Sequence, residues 1–241
     1  MALILNIETS TEVCSVALAR DGKVIHLREH LSGQNHAQLL TVFIDELLTE
    51  SSVKMEELDA VAVSAGPGSY TGLRIGVSVA KGICYALKLP LIAITSLEAM
   101  ANYVRINTDT FYPLKVEHTL YCPMIDARRM EVYTSFYDQE GTQIRGIQAD
   151  ILDHSSYLPY LESSSVFFFG NGASKFRDTI THPNGIFLDG VFTSAINMVP
   201  LAERDFKLSK YVDVAYFEPF YLKDFVATIP VKNIFKSAHE Q

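Results

Sequence analysis

Ala65-Gly66-Pro67-Gly68-Ser69-Tyr70-Thr71-Gly72-Leu73-Arg74 separates the apolar run Val61-Ala62-Val63 from an apolar segment that ends near Lys88. A strand that enters a Gly/Ser/Thr loop and leaves it as a helix is a unit of layered α/β architecture. It also gathers free backbone N–H groups at the positive end of a helix dipole, a ready anion site. No lysine completes a Walker pattern here, and Gly66-x-Gly68-x-x-x-Gly72 is one residue too long for the dinucleotide fingerprint. The loop alone therefore leaves two readings: a phosphate cradle, or a tight turn feeding a helix.

The chain of 241 residues is long enough for two modest domains. A net charge of −8 argues against unaided grip on a nucleic-acid backbone, which needs clustered Lys and Arg. Cys14, Cys84 and Cys122 are few, far apart and set among apolar residues, which predicts reduced, buried thiols. The chain starts at once with Leu3-Ile4-Leu5-Asn6-Ile7, and no apolar run approaches about 18 residues, so a cytoplasmic protein is expected.

Leu3 to Ile7, Val13 to Ala19 and Lys23 to Leu31 read as strands, the last two joined by the hairpin turn Asp21-Gly22. Leu39, Leu40, Phe43, Ile44, Leu47 and Leu48 recur at helical spacing and predict a helix over 35–50. A strand (59–64), the Gly loop, a helix (72–88), a strand (91–94) and a helix from Ser96 complete a β-β-β-α-β-α-β-α lobe over residues 1–107. Polar Asn107-Thr108-Asp109-Thr110 marks the boundary. A second lobe over 108–223 reads as a degraded repeat, with strands at 119–125, 131–138 and 166–169, Gly170-Asn171-Gly172, and a helix over 193–206 capped by Thr193 or Ser194. Residues 224–241 read as a loosely held polar tail.

Glu8-Thr9-Ser10 closes the first strand, where an acid and two hydroxyls could hold a nucleotide phosphate or a magnesium-bound water, or simply cap a turn. With Gly66, Gly68, Ser69 and Thr71 they make up the candidate phosphate site. His26 and His30 fall in a predicted strand, about 13 Å apart, too far for one ion. His36 belongs to the first helical turn. Asp126 and Glu131 flank Ala127-Arg128-Arg129-Met130 and could form an acid/base pair, though a solvated turn with local ion pairs is the plainer expectation. No Gly-x-Ser-x-Gly or His-Glu-x-x-His pattern occurs.

The 72–88 helix is apolar nearly all round. Gly72, Gly76 and Ala80 form an i, i+4, i+8 row that would let another backbone come close, and Leu73, Ile75, Val79 and Ile83 add apolar surface. At about 1.5–3 kcal/mol per large side chain, such a helix must be covered. A partner subunit is the favoured cover, with His36, Leu39, Leu40, Phe43 and Leu47 of the preceding helix beside it.

Ile4-Leu5-Asn6-Ile7-Glu8-Thr9-Ser10, the 65–74 loop, Asp126-Ala127-Arg128 with Glu131-Val132-Tyr133, and Pro219-Phe220-Tyr221-Leu222-Lys223 together resemble the TsaB (YeaZ) family. The match runs in order over most of the chain. That family is the bacterial subunit of the machinery that makes threonylcarbamoyladenosine in tRNA. The resemblance implies an α/β fold of the actin/Hsp70/sugar-kinase type with two lobes. It also implies an assembly subunit that pairs with the catalytic paralogue TsaD and works with the ATPase TsaE; the apolar helices add the expectation of a homodimer in isolation. Where TsaD carries two metal-binding histidines, this chain has Ser96 and Met100, and neither supplies an imidazole nitrogen. The expectation is thus a non-catalytic chain with no metal and no required cofactor, weak nucleotide binding being left open, and no tight tRNA binding alone. A glycoprotease-like peptidase and a small-molecule kinase of the same fold are the competing readings. Glu8 in place of the usual first-strand Asp counts against the kinase.

Overall fold

The computed structural model describes residues 2–31, 33, 35–114 and 118–222; the polar tail expected at 224–241 lies outside them. The first sheet is built from β1 (Leu3–Glu8), β2 (Cys14–Arg20), β3 (Lys23–His30), β4 (Ala60–Ser64) and β5 (Leu91–Ile94), in the order β3-β2-β1-β4-β5. β1 runs antiparallel to β2 and parallel to β4. Asp21 and Gly22, both at positive φ, make the predicted hairpin. Between these strands lie α1 (His36–Ser51) and α2 (Tyr70–Leu87), followed by α3 (Ser96–Ile106) and the short α4 (Thr108–Phe111).

Alternation along β1 sends its side chains to two different cores. Leu3, Leu5 and Ile7 join Val16, Leu18, Val61 and Val63 beneath α1 and α2. Ile4 faces the other way, with Ala60, Ala62, Ile92 and Ile94, against Ala99 of α3. Asn6 breaks the apolar run and uses its amide locally, donating to the carbonyls of Ile4 at 3.2 Å and Ala17 at 3.4 Å.

The second sheet comprises β6 (Thr119–Asp126), β7 (Glu131–Tyr137), β8 (Gln143–Ile151), β9 (Ser165–Phe169) and β10 (Gly185–Phe187), ordered β10-β9-β6-β7-β8. The sheet therefore repeats the first in full, and the degradation read from the sequence is confined to its helices. α5 (Leu158–Ser163) is a single turn and a half, and a 3₁₀ turn at Ala173–Phe176 stands where α2 stood. These are the α/β lobes of the actin/Hsp70/sugar-kinase type.

One element departs from the expected lobe division. α6 (Ala195–Lys207), assigned by sequence to the second lobe, packs onto the first sheet: Met198, Leu201 and Ala202 join Ile4, Ala62 and Ile92, while Ala195 and Val199 meet Ala17 and Ala19. Ser194 caps it and is itself held by Glu29 of β3; Ser15 Oγ accepts the Ala195 N–H at 2.9 Å. Sequence periodicity finds the helix but is blind to which sheet it covers. Residues 212–220 return to the first lobe as well. Val212 N–H bonds Leu91 O at 2.9 Å, and Val212, Val214 and Phe217 pack on the core beneath α1 and α2.

Candidate functional site

The Gly loop starts at the end of β4 and delivers the chain into α2. Ser69 is the N-cap, its Oγ accepting the Gly72 N–H at 3.2 Å. The loop lies directly against the β1–β2 turn. Ser69 N–H donates to Ser10 O at 2.6 Å, and Thr9 Oγ1 donates to Gly72 O at 2.8 Å. A Cβ at Gly68 would collide with Ser10 O, and one at Gly72 with Thr9 O. Only glycine permits this approach.

Glu8, Thr9, Ser10, Gly66, Gly68 and Ser69 are thus brought together as the sequence predicts, while Thr71 is exposed on the first turn of α2. The Ser69 amide, one of the donors such a site would offer, is already engaged by Ser10 O. Glu8 is 1% exposed; its Oε1 accepts the Ser10 N–H at 2.6 Å, while Oε2 and the Ser10 hydroxyl have no partner among the described residues. Burial pushes the Glu8 carboxyl above its usual range, against the opposing pull of the Ser10 main-chain hydrogen bond.

Sequence reasoning missed the far wall of this loop. Phe220 N–H donates to Ala65 O at 2.7 Å, and Phe220 O stands 2.8 Å from where a Gly66 Cβ would be. The signal was present in Pro219-Phe220-Tyr221-Leu222-Lys223, but no periodicity connects it to residue 65.

The proposed metal and acid/base positions resolve plainly. Ser96 and Met100 are fully buried. His36 Nε2 lies 3.2 Å from Val13 O, and His26 faces Glu50. Among the described residues no group of three His, Cys, Asp or Glu could hold a metal ion. The Asp126 carboxylate accepts the Arg128 N–H at 2.6 Å and pairs with Lys175, a turn-stabilising arrangement.

The interface reading needs a correction. Gly72, Gly76 and Ala80 face the chain's own β1 end, with a Gly76 Cβ colliding with Thr9 Oγ1. Leu73, Leu40, Leu47 and His36 are buried too. The small-residue row brings α2 close to the monomer's own strand rather than to a partner. What remains partly open lies beside that row: Leu39, Phe43, Ile75, Val79 and Ile83 pack against the core but are only partly covered, Val42 is 47% and Tyr85 84% exposed, and a Gly82 Cβ would meet open space.

The family model for TsaD, tRNA N6-adenosine threonylcarbamoyltransferase, matches residues 30–231. The tRNA threonylcarbamoyladenosine biosynthesis protein TsaB of Haemophilus influenzae is 30% identical over 92% of this chain and 93% of its own length. The protein of the same name in Escherichia coli is 30% identical over 93% and 96%. The structure titled YeaZ from Pseudomonas aeruginosa superposes with a TM-score of 0.77 at 28% identity, covering 92% of this chain and all of that one. The chain belongs to the TsaB (YeaZ) family, on the TsaD-related α/β fold.

Proposed function

We propose that this chain serves tRNA threonylcarbamoyladenosine biosynthesis as a non-catalytic subunit that docks a TsaD-type transferase, with a TsaE-type ATPase joining the complex. The observation that carries this reading is the apolar ridge of α1 and α2, left half-open with Val42 and Tyr85 at its rim. A stable interface removes about 800 Å² from each partner, an area two helices of this length can supply. In isolation the same ridge would pair two copies of the chain. Relatives over nearly the full length carry the TsaB name, and the described residues include no helix long and apolar enough to cross a membrane, in keeping with a cytoplasmic role.

The non-catalytic assignment is supported by Ser96 and Met100 at the positions where the paralogue ligates metal. The Gly loop packed on Thr9 and Ser10 counts against a kinase, and the paired Asp126 against an acid/base peptidase. With a net charge of −8, tRNA would be held mainly by partners.

The deciding variant is Gly82→Lys. It sits mid-helix with open space above it, where replacing glycine favours the helix. Native stability with lost co-purification of TsaD is the expected outcome; undiminished yield would move the interface elsewhere. Stoichiometric zinc or iron found by elemental analysis would overturn the non-catalytic part.

A further inference from the structure

The C-terminal segment is tied to one flank of α2 by two cations seven residues apart. Lys81 Nζ donates to Ala215 O at 3.0 Å and Phe217 O at 3.1 Å. Arg74 stacks its guanidinium 4.0 Å from the Tyr70 ring centre, and its Nε donates to Tyr221 OH at 3.2 Å. Tyr221 in turn lies against Tyr70, ring centres 5.0 Å apart. One residue earlier, Phe220 makes its main-chain bond to Ala65 at the entrance of the Gly loop. The segment between Leu91 and Tyr221 contacts therefore grips both ends of the loop-to-helix transition, from Ala65 to Arg74, on the side not held by Thr9 and Ser10.

We propose that Tyr221 is a positioning residue for partner docking: through Arg74 and the adjoining Phe220–Ala65 bond, it fixes the first turn of α2 and so the aim of the partly open ridge. This rests on the docking reading above. Three observations favour positioning over simple packing. Tyr221 touches none of the buried core clusters among the described residues. Its contacts are with Tyr70 and Arg74, both on the first turns of α2. Ile75, the first partly covered ridge residue, follows Arg74 directly. An α2 start free to fray would carry Ile75 with it, and docking would then have to reorder that turn at the expense of affinity.

The test has two arms. In the isolated chain, hydrogen exchange of the amides of residues 65–75 is compared in wild type, Tyr221→Ala and Tyr221→Phe. Tyr221→Ala should speed exchange there about fivefold, as expected for loss of the ring contact with Tyr70 and a hydrogen bond. Exchange in β1 and β6 should not change. Tyr221→Phe keeps the ring and should recover most of the protection. In the second arm, titration with a TsaD-type partner should show Tyr221→Ala weakened severalfold and Tyr221→Phe near wild type. Unchanged exchange at 65–75, or a rise spread over the whole chain, would overturn the proposal. So would a loosened loop with unaltered affinity. Gly82→Lys serves as the separate control: if it docks normally, the ridge reading fails, whereas if it is blocked while Tyr221→Ala docks normally, only the role of Tyr221 fails.

Discussion

Gly76 of α2 sits directly on Thr9, at the turn after β1, with no room for a single methyl group between them. Thr9 uses the hydroxyl that defines this limit to hold Gly72 O at 2.8 Å. Gly76→Ala should therefore cost about 1–3 kcal/mol by overpacking, although alanine is the better helix former. Removing the obstacle with Thr9→Ala in the same chain should return part of that loss, a coupling on the order of 0.5–3 kcal/mol in a double-mutant cycle. Denaturant unfolding measures both. A Gly76→Ala variant as stable as the parent would mean that α2 does not press on β1.

Glu8 sets a pH dependence with a definite sign. Its folded pKa is raised above the ordinary 4.5, so the unfolded chain gives up this proton first. The stabilisation is whole below 4.5 and is lost as pH rises through the folded value. Glu8→Gln keeps an oxygen for the Ser10 N–H and cannot ionise. Thermal melts between about pH 4 and pH 9 should show the variant gaining on the parent as pH rises. A parent that gains on the variant would reverse the assignment.

In the second lobe, Arg145 and Asp150 form an ion pair at 2.8 Å, their side chains 18% and 15% exposed, and Tyr157 OH donates to Asp150 at 2.6 Å. Asp150→Ala strands the guanidinium among Phe136 and Tyr157, whose rings lie 5.8 and 5.6 Å away. The expected loss is about 3 kcal/mol, since removing one member of a buried pair leaves the other charge uncompensated. Unfolding midpoints for Asp150→Ala and Asp150→Asn would read it; a shift within error for both would show the pair to be solvated.

Thiol labelling should find no reactive cysteine in the folded chain at neutral pH. Cys14, Cys84 and Cys122 are free and buried, and burial pushes the first two thiols up to about 11 and the third further. Thiolate is the reactive form, so labelling should await unfolding and then reach all three residues. Rapid labelling of any one in native buffer would contradict its burial.

The sequence carries local information well and lateral information poorly, and α2 shows both. Its presence, its end near Lys88 and its apolar content are legible from spacing, whereas it starts at Tyr70 under a Ser69 cap and not at the expected Gly72. Its facing direction is not legible, because an i, i+4, i+8 row of small residues looks the same whether it meets a partner or the chain's own strand. β8 was missed for a related reason: Gln143-Ile144-Arg145-Gly146-Ile147 lies at a sheet edge with a largely solvated surface, so its apolar alternation is diluted. The candidate site divides in the same way. Glu8, Thr9 and Ser10 beside the Gly loop follow from strand order, whereas Phe220 and Tyr221 arrive from the far end of the chain.

The placement of α6 carries a consequence for synthesis. Ile4, Ala62 and Ile92 of the first sheet are covered by Met198, Leu201 and Ala202, made more than a hundred residues after the last strand of that sheet. A nascent chain emerging from the ribosome therefore holds a first sheet with one face only partly capped, by α3, while the entire second sheet is translated. Stalled chains ending before residue 195 should recruit hold-type chaperones and resist compaction in a pulling assay, and those extended past residue 207 should close.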